Sequence, residues 1–225
     1  MLKSIKPKYN SKLIRIGSKF DGGYLVEKKS YKNAELLISF GIFNNWDFEK
    51  KFKKPFLAFD DQLDFKFVYY WFLKRCISIS SLFFYLKNKK NFKKAFVGIK
   101  PYTFNEIIAP LRQKKIFLKI DIEGNEYSIL DDIILNQKKI IGIVIEFHDV
   151  EKHLNEIENF ICNIELDNVH VHANNFGGLS HGKIPNVLEI TFSRFFEKSL
   201  YNVQLPHYLD KPNNKFEDEI RLIFE

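Results

Sequence analysis

The chain has 225 residues, is 45% apolar with 24 phenylalanines, and sets 35 Lys and Arg against 28 Asp and Glu for a net charge of +7. That length and apolar content suit one domain, expected over 1–225, with a core large enough to exclude a disordered chain. No stretch reaches the roughly 18 apolar residues of a membrane span, no signal-peptide pattern opens the chain, and the positive balance favours an anionic partner: phosphate, nucleotide, nucleic acid or a membrane surface.

Residues 1–16 are basic, with Lys3, Lys6, Lys8, Lys12 and Arg15. Asp21-Gly22-Gly23-Tyr24 follows. Asp-Gly-Gly reads as a tight turn, either a hairpin turn on an edge element or a close approach to a ligand. Leu36 to Ile42 is an apolar strand that ends in Gly41, passes Asn44 and Asn45, and enters a helix near Asp47-Phe48-Glu49. Strand, glycine turn and helix start make a common cofactor-binding corner, although the full glycine fingerprint of a dinucleotide fold is absent. Phe56-Leu57-Ala58-Phe59-Asp60 closes on an acid about 20 residues beyond Gly41, the spacing at which a carboxylate receives ribose hydroxyls. Asp61 and Asp64 read as solvated neighbours.

Residues 66–100 change character. They hold Lys66, Lys74, Arg75, Lys87, Lys89, Lys90, Lys93, Lys94 and Lys100, no acid, and many aromatics. The pattern predicts one or two helices, an insertion at about 65–95, and then a strand at Ala95–Ile99. A solvated basic face over aromatic packing and a contact surface for an anionic lipid, glycan carrier or nucleic acid both fit it. Thr103 to Leu111 reads as a short helix.

Ile116 to Ile122 is a near-continuous apolar run, as in a strand covered on both faces. It ends in Asp121, Glu123 and Gly124, and a helix is expected from Glu126 to Leu135. On a regular strand Asp121 and Glu123 would share a face. Two acids at a strand end are costly unless solvated, paired or working on a ligand. Capping the next helix is the plainer alternative. Ile140 to His148 repeats the design, with Glu146 and His148 two apart. A helix from about Val150 to Cys162 leads to a strand from Asn168, in which alternation puts His170 and His172 on one face, followed by Asn174. His181 falls in a loop, Pro185 to Arg194 is a last strong strand, the tail through Asn214 is loop-like, and 217–225 is expected to dock back. Cys76 and Cys162 lack metal-ligand spacing, which suits a reducing cytoplasm.

Strands alternating with helices predict a parallel α/β sheet. Its strand ends would gather Gly41, Asp60, Asp121, Glu123, Glu146, His148, His172 and Asn174 on one rim. These groups suit either a divalent ion with mixed oxygen and nitrogen ligands or a general base that removes a hydroxyl proton.

With Asp21-Gly22-Gly23-Tyr24, Ser39-Phe40-Gly41, Leu118-Lys119-Ile120-Asp121-Ile122-Glu123-Gly124, Glu146-Phe147-His148, Pro185 to Thr191 and Leu209-Asp210-Lys211-Pro212-Asn213 in view, the chain resembles the FkbM-type S-adenosylmethionine-dependent methyltransferases. The resemblance is weakest over 66–100, and the Gly41 corner is poorer in glycine than the usual methyltransferase motif. It implies a Rossmann-like class I methyltransferase fold, a mostly parallel seven-stranded sheet with an antiparallel last strand. It implies S-adenosyl-L-methionine as cofactor, with Gly41 and its neighbours beside the methionine part, Asp60 on the ribose and Asp121 near the sulfonium.

The expected cofactor set is Gly23, Tyr24, Phe40, Gly41, Asn45, Asp60 and Asp121. The expected substrate contacts are Asp21, Glu123 and Asn174. Asp121, His148 and His172 are the candidates for catalysis, and Asp121, Glu146 and His148 for a magnesium or manganese ion. The resemblance implies O-methylation of a sugar hydroxyl, in capsule or lipopolysaccharide assembly. The net charge adds a sugar-phosphate acceptor, nucleotide- or lipid-linked, and peripheral contact with the inner face of the membrane. A nucleic-acid methyltransferase and a non-catalytic glycan- or membrane-binding module rank behind it.

Overall fold

A computed structural model describes residues 3–112, 114–181, 184–196 and 203–224. The expected 1–225 domain and 217–225 tail thus include positions outside the described residues. Leu13–Gly17 (β1) and Gly23–Glu27 (β2) form an antiparallel hairpin, followed by Lys28–Asn33 (α1). Leu36–Phe40 (β3), Asp47–Lys51 (α2) and Phe56–Asp60 (β4) come next. Phe65–Leu73 (α3) and Ile79–Lys87 (α4) precede Phe92–Lys94 (β5). Phe104–Ile108 (α5), Ile116–Ile120 (β6), Leu130–Asn136 (α6), Ile140–Phe147 (β7) and Leu154–Asn163 (α7) make up the second half. Asp167–Ala173 (β8), the short Leu179–Ser180 (β9) and Ile184–Pro185 (β10), and Leu188–Ser193 (β11) complete the order.

Seven strands form one sheet in the order β5-β4-β3-β6-β7-β11-β8. The pairs from β5 to β7 are parallel, and β11 runs antiparallel between β7 and β8. This is the Rossmann-like methyltransferase sheet that the sequence resemblance implied. All residues of β3, β6 and β7 are buried, as near-continuous apolar strands under helices on both faces require. The chain leaves β3 toward β4 and β5, then returns to β6 on the other side of β3. The junction of β3 and β6 is therefore the topological switch point, where open α/β sheets leave a crevice at the carboxyl ends of their strands.

Several predicted boundaries move, each for a local backbone reason. The strand expected at Ala95–Ile99 is instead β5, three residues earlier. Ala95 and Val97 are buried, but Gly98 at φ +106° turns the chain, and its N–H bonds Tyr102 O at 3.0 Å. β6 ends at Ile120, and Glu123 sits at φ +53°, so strand alternation does not govern Asp121 and Glu123. The helix expected from Glu126 begins as a 3-10 turn, Glu126–Ile129, and becomes α-helical at Leu130. Asp149 at φ +51° delays α7 to Leu154. The tail carries no regular element among its described residues, yet Ile220, Leu222 and Phe224 pack against the main core.

Candidate functional site

Gly41 fixes the switch point. Its φ is +71°, and a Cβ there would lie 1.5 Å from the backbone oxygen of Asp121. Only glycine lets the ends of β3 and β6 close to this distance. Asp121 N–H then donates to Phe40 O at 3.0 Å. Asp60, at the end of β4, locks the loop from beneath. Its Oδ2 accepts from the N–H groups of Ile42 (3.0 Å) and Phe43 (2.8 Å), and its Oδ1 from Gln62 N–H (3.0 Å).

Over this corner opens a cavity of about 520 Å³, within the roughly 300–1,000 Å³ of small-ligand sites. Five acids line it: Asp21, Asp60, Asp61, Asp121 and Glu123. Lys119 is the one basic residue in the described lining, which also has Phe43, Phe48, Phe59 and Phe96 as aromatic walls. A molecule of net positive charge thus carries an acidic, aromatic cavity suited to a cationic or polyhydroxylic ligand.

Buried ionisable groups continue behind Asp121. Lys119 Nζ donates to Gly41 O, and to Asp121 Oδ2 at 3.3 Å. Burial alone would lower the lysine pKa, but Asp121, Glu49 and Glu146 outweigh it and keep the group charged. Glu49, in α2, is fully buried, receives the Ser39 hydroxyl, and is raised by that burial despite Lys119. Tyr24 Oη lies 3.0 Å from Asp121 Oδ2 and 3.1 Å from Glu146 Oε2. One phenolic proton cannot serve both carboxylates. The Tyr24 hydroxyl is therefore shared between the two, and burial, then Asp121 and Glu189, push Glu146 well above the usual carboxylate range. Asp121 Oδ2 is thereby engaged twice, while its Oδ1 has no hydrogen-bond partner among the described residues.

Glu126, fully buried, receives both the backbone N–H of His148 (2.6 Å) and its ring Nδ1–H (3.0 Å). This leaves His148 Nε2 3.5 Å from Glu123 and 3.7 Å from Glu146. Burial would lower the imidazole pKa, but Glu126 and the neighbouring acids raise it overall, which favours the charged ring near neutrality. Ligand atoms of Asp121, Glu146 and His148 all lie within 4.8 Å of one another. Glu126 on Nδ1 is the outer contact that metal-ligating histidines commonly have.

The structure brings Asp21, Gly41, Asn45, Asp60, Asp121 and Glu123 to the cavity wall. Other expected positions fall elsewhere. Phe40 points into the core against Phe59 and Phe104. Gly23 packs its α-carbon against Ser18 O, where a Cβ would come within 2.0 Å, and Gly22 lines the cavity in its place. Tyr24 is buried behind Asp121, and Asn174 donates to Glu146 Oε1 at 2.8 Å without reaching the lining. Glu146 and His148 adjoin the cavity through Asp121.

His172 is kept out of the cavity because both ring nitrogens are taken, Nδ1 by Glu189 and Nε2 by Glu219, each at 3.1 Å. Burial would lower its pKa, but these two carboxylates raise it to about 10. A folded-state pKa above the unfolded value gives stability that is full below about 6.5 and lost as pH rises through 10. Urea unfolding is expected to show roughly 4 kcal/mol less stability at pH 10.5 than at pH 7. In His172→Gln most of that difference should vanish; an equal slope in both proteins would refute the assignment.

Sequence reading missed Lys119, Glu126, Glu189, Glu219 and Asn213 as parts of this network. Lys119 left a signal, since a lone lysine inside a buried strand must be paired. Asn213 left none: the tail carries it back to donate to Glu189 Oε1 (2.7 Å) and Asp21 Oδ1 (3.4 Å).

No curated protein matches the chain. Among solved structures, a chain of a fibrillarin/Nop5p complex is similar at 13% identity, over 83% of this chain and 92% of that one, with a TM-score of 0.38. Residues 89–176, which run from just before β5 to just past β8 and contain Asp121, Glu123, Glu146 and His148, match the methyltransferase FkbM domain, the family that the Asp121-Ile122-Glu123-Gly124 motif resembles.

Proposed function

We propose that the protein is an S-adenosylmethionine-dependent O-methyltransferase whose acceptor is a sugar hydroxyl, in surface-polysaccharide assembly in the cytoplasm. The observation that carries this reading is Asp121 Oδ1, a carboxylate oxygen without a hydrogen-bond partner among the described residues, on the wall of the acidic switch-point cavity. The residues present fit the cofactor. Gly41, having no Cβ, lets the ends of β3 and β6 close together at the cavity wall. The aromatic walls suit an adenine ring, and the excess of carboxylates suits a sulfonium and an ammonium group.

S-adenosylmethionine, when bound, supplies a methyl carbon on a positively charged sulfur that an acceptor oxygen can displace. Of the cavity-lining residues, Gly41 and Asn45 would border the methionine part, and Asp60 and Asp61 would receive the ribose hydroxyls. Asp121 Oδ1 would take the acceptor's proton as the acceptor oxygen displaces the sulfur from the methyl carbon. Lys119 and Tyr24 hold Asp121 in place through its Oδ2. His148, with Nε2 3.5 Å from Glu123, would orient that carboxylate toward the acceptor side. An acidic lining repels phosphate, so a nucleotide- or lipid-linked sugar would enter sugar first. The same repulsion weighs against a nucleic-acid acceptor.

A second reading rests on the 4.8 Å cluster of Asp121, Glu146 and His148. Those three would hold a magnesium or manganese ion, which would lower the pKa of the acceptor hydroxyl. Calorimetric titration of metal-free, cofactor-free protein with S-adenosylmethionine tests both readings. Binding with Kd between about 1 µM and 1 mM is expected, weakened about tenfold in Asp60→Ala for the loss of a charge-assisted hydrogen bond. Methyl transfer to a sugar acceptor that survives chelation would eliminate the ion. Absence of binding by folded protein would overturn the proposal itself.

A further inference from the structure

Helices α3 and α4 are short, and each leaves an apolar stripe in solvent. On α3 the stripe is Phe65, Tyr69, Tyr70 and Leu73, all at least half exposed. On α4 it is Ile79, Phe83 and Leu86, with Ile79 at 66% and Phe83 at 67% exposure. Both follow helical spacing, the pattern that normally faces a core. Val68 is the one buried residue of α3, and Ser81 and Tyr85 are those of α4. Isolated exposed apolar residues are ordinary, but two stripes on consecutive helices are not.

The charge around these stripes identifies the occupant. Residues 66–100 hold nine Lys and Arg and no acid. The end of α4 and the segment that follows it into β5 contribute Lys87, Lys89, Lys90 and Lys93, all exposed, at the open edge of the sheet formed by β5. Lys89 Nζ lies 6.0 Å from the centroid of Phe65, which brings this basic segment against the start of α3. Exposed aromatic and aliphatic side chains rimmed by lysines are the composition of an interfacial membrane anchor. Among the described residues no helix is long and apolar enough to cross a membrane, so such contact would be peripheral. The surface also abuts the cavity: Phe43, in its lining, packs edge-on against Phe67 (5.4 Å) and Trp71 (5.2 Å) of α3.

We infer that α3, α4 and the lysine segment after them dock the protein on an anionic lipid bilayer, with the cavity mouth beside the headgroups. The apolar stripes enter the headgroup layer and the lysines face acidic lipids. This surface does not depend on the methyl-donor reading, and its test is separate from that one.

The full chain is sedimented with vesicles of phosphatidylglycerol and phosphatidylcholine, and with vesicles of phosphatidylcholine alone. Binding to the anionic vesicles at about 0.1 M salt is expected, with release near 1 M, where charges are screened within about 3 Å. With each lysine near the surface worth roughly fivefold, Lys87→Glu, Lys89→Glu and Lys90→Glu together should lose at least about a hundredfold. Ile79→Ser with Phe83→Ser should lose about tenfold while the salt dependence remains. A parallel titration with S-adenosylmethionine shows that the variants are folded, and circular dichroism does so if that ligand does not bind. The inference is overturned if the wild type stays in the supernatant with anionic vesicles. It is also overturned if charge reversal changes binding less than about twofold, or if a single-stranded oligonucleotide binds the same lysines more tightly than the vesicles do.

Discussion

Asp121→Asn is expected to lower kcat/KM for methyl transfer about a thousandfold, within the range that one positioned proton acceptor contributes. The amide keeps the shape of the side chain and can still accept from Tyr24, but it cannot take a proton from a hydroxyl. It also leaves Lys119 facing Gly41 O and Glu49 without its nearest anion. A cost of roughly 1–3 kcal/mol in stability should accompany the change, with cofactor affinity kept within about tenfold because Gly41 and Asp60 are untouched. Single-turnover methyl transfer and calorimetry on the same preparation separate the two effects. A variant that keeps a tenth or more of the activity would remove Asp121 from the chemistry.

Gly41→Ala should fail for a different reason, through the backbone. Its φ of +71° costs an alanine about 1–2 kcal/mol. The clash at 1.5 Å adds more, because the atom in the way is the Asp121 carbonyl, a fixed part of the chain after β6. A loss of at least about 3 kcal/mol is expected, in the upper range for single substitutions, together with loss of cofactor binding as the two strand ends move apart. Gly124→Ala is the control. Its φ of +99° is also left-handed, but nothing lies within 4 Å of the added carbon. The cost there should stay near 1–2 kcal/mol. Equal losses in the two variants by urea unfolding would mean that the close approach at Gly41 is not what matters.

The fold was legible because its signals are local and repeated. Apolar runs at Leu36–Phe40, Ile116–Ile120 and Ile140–Phe147 can only be covered strands, and the glycine and acid at their ends mark one edge of the sheet. The corner of Gly41, Asp60 and Asp121 was legible for the same reason. What stayed hidden depends on contacts far apart in the chain. His172 looks like a strand-end base until Glu189 and Glu219 are seen to occupy both nitrogens, and Glu219 reaches it from a tail without periodicity. Phe40 was misread because the same motif holds a core residue and a cavity residue side by side. Glu126 looked like a helix start, although it is buried beneath His148. Strand alternation could not place Asp121 and Glu123, since the strand stops at Ile120 and the left-handed turn at Glu123 sets the side-chain direction.

The uneven charge has a kinetic side. With acids gathered in the cavity and lysines gathered from Lys87 onward, the positive charge of the molecule is unevenly spread. In the field of a negatively charged surface it experiences a torque before it touches anything, and approaches with the lysine side leading. Raising the ionic strength would slow that encounter by shortening the distance over which the torque acts. If the cavity holds the donor as proposed, that donor would sit among charges that mobile ions screen far less, and its dwell time should barely respond. Association and retention would then report on two separate charge patterns of one small protein.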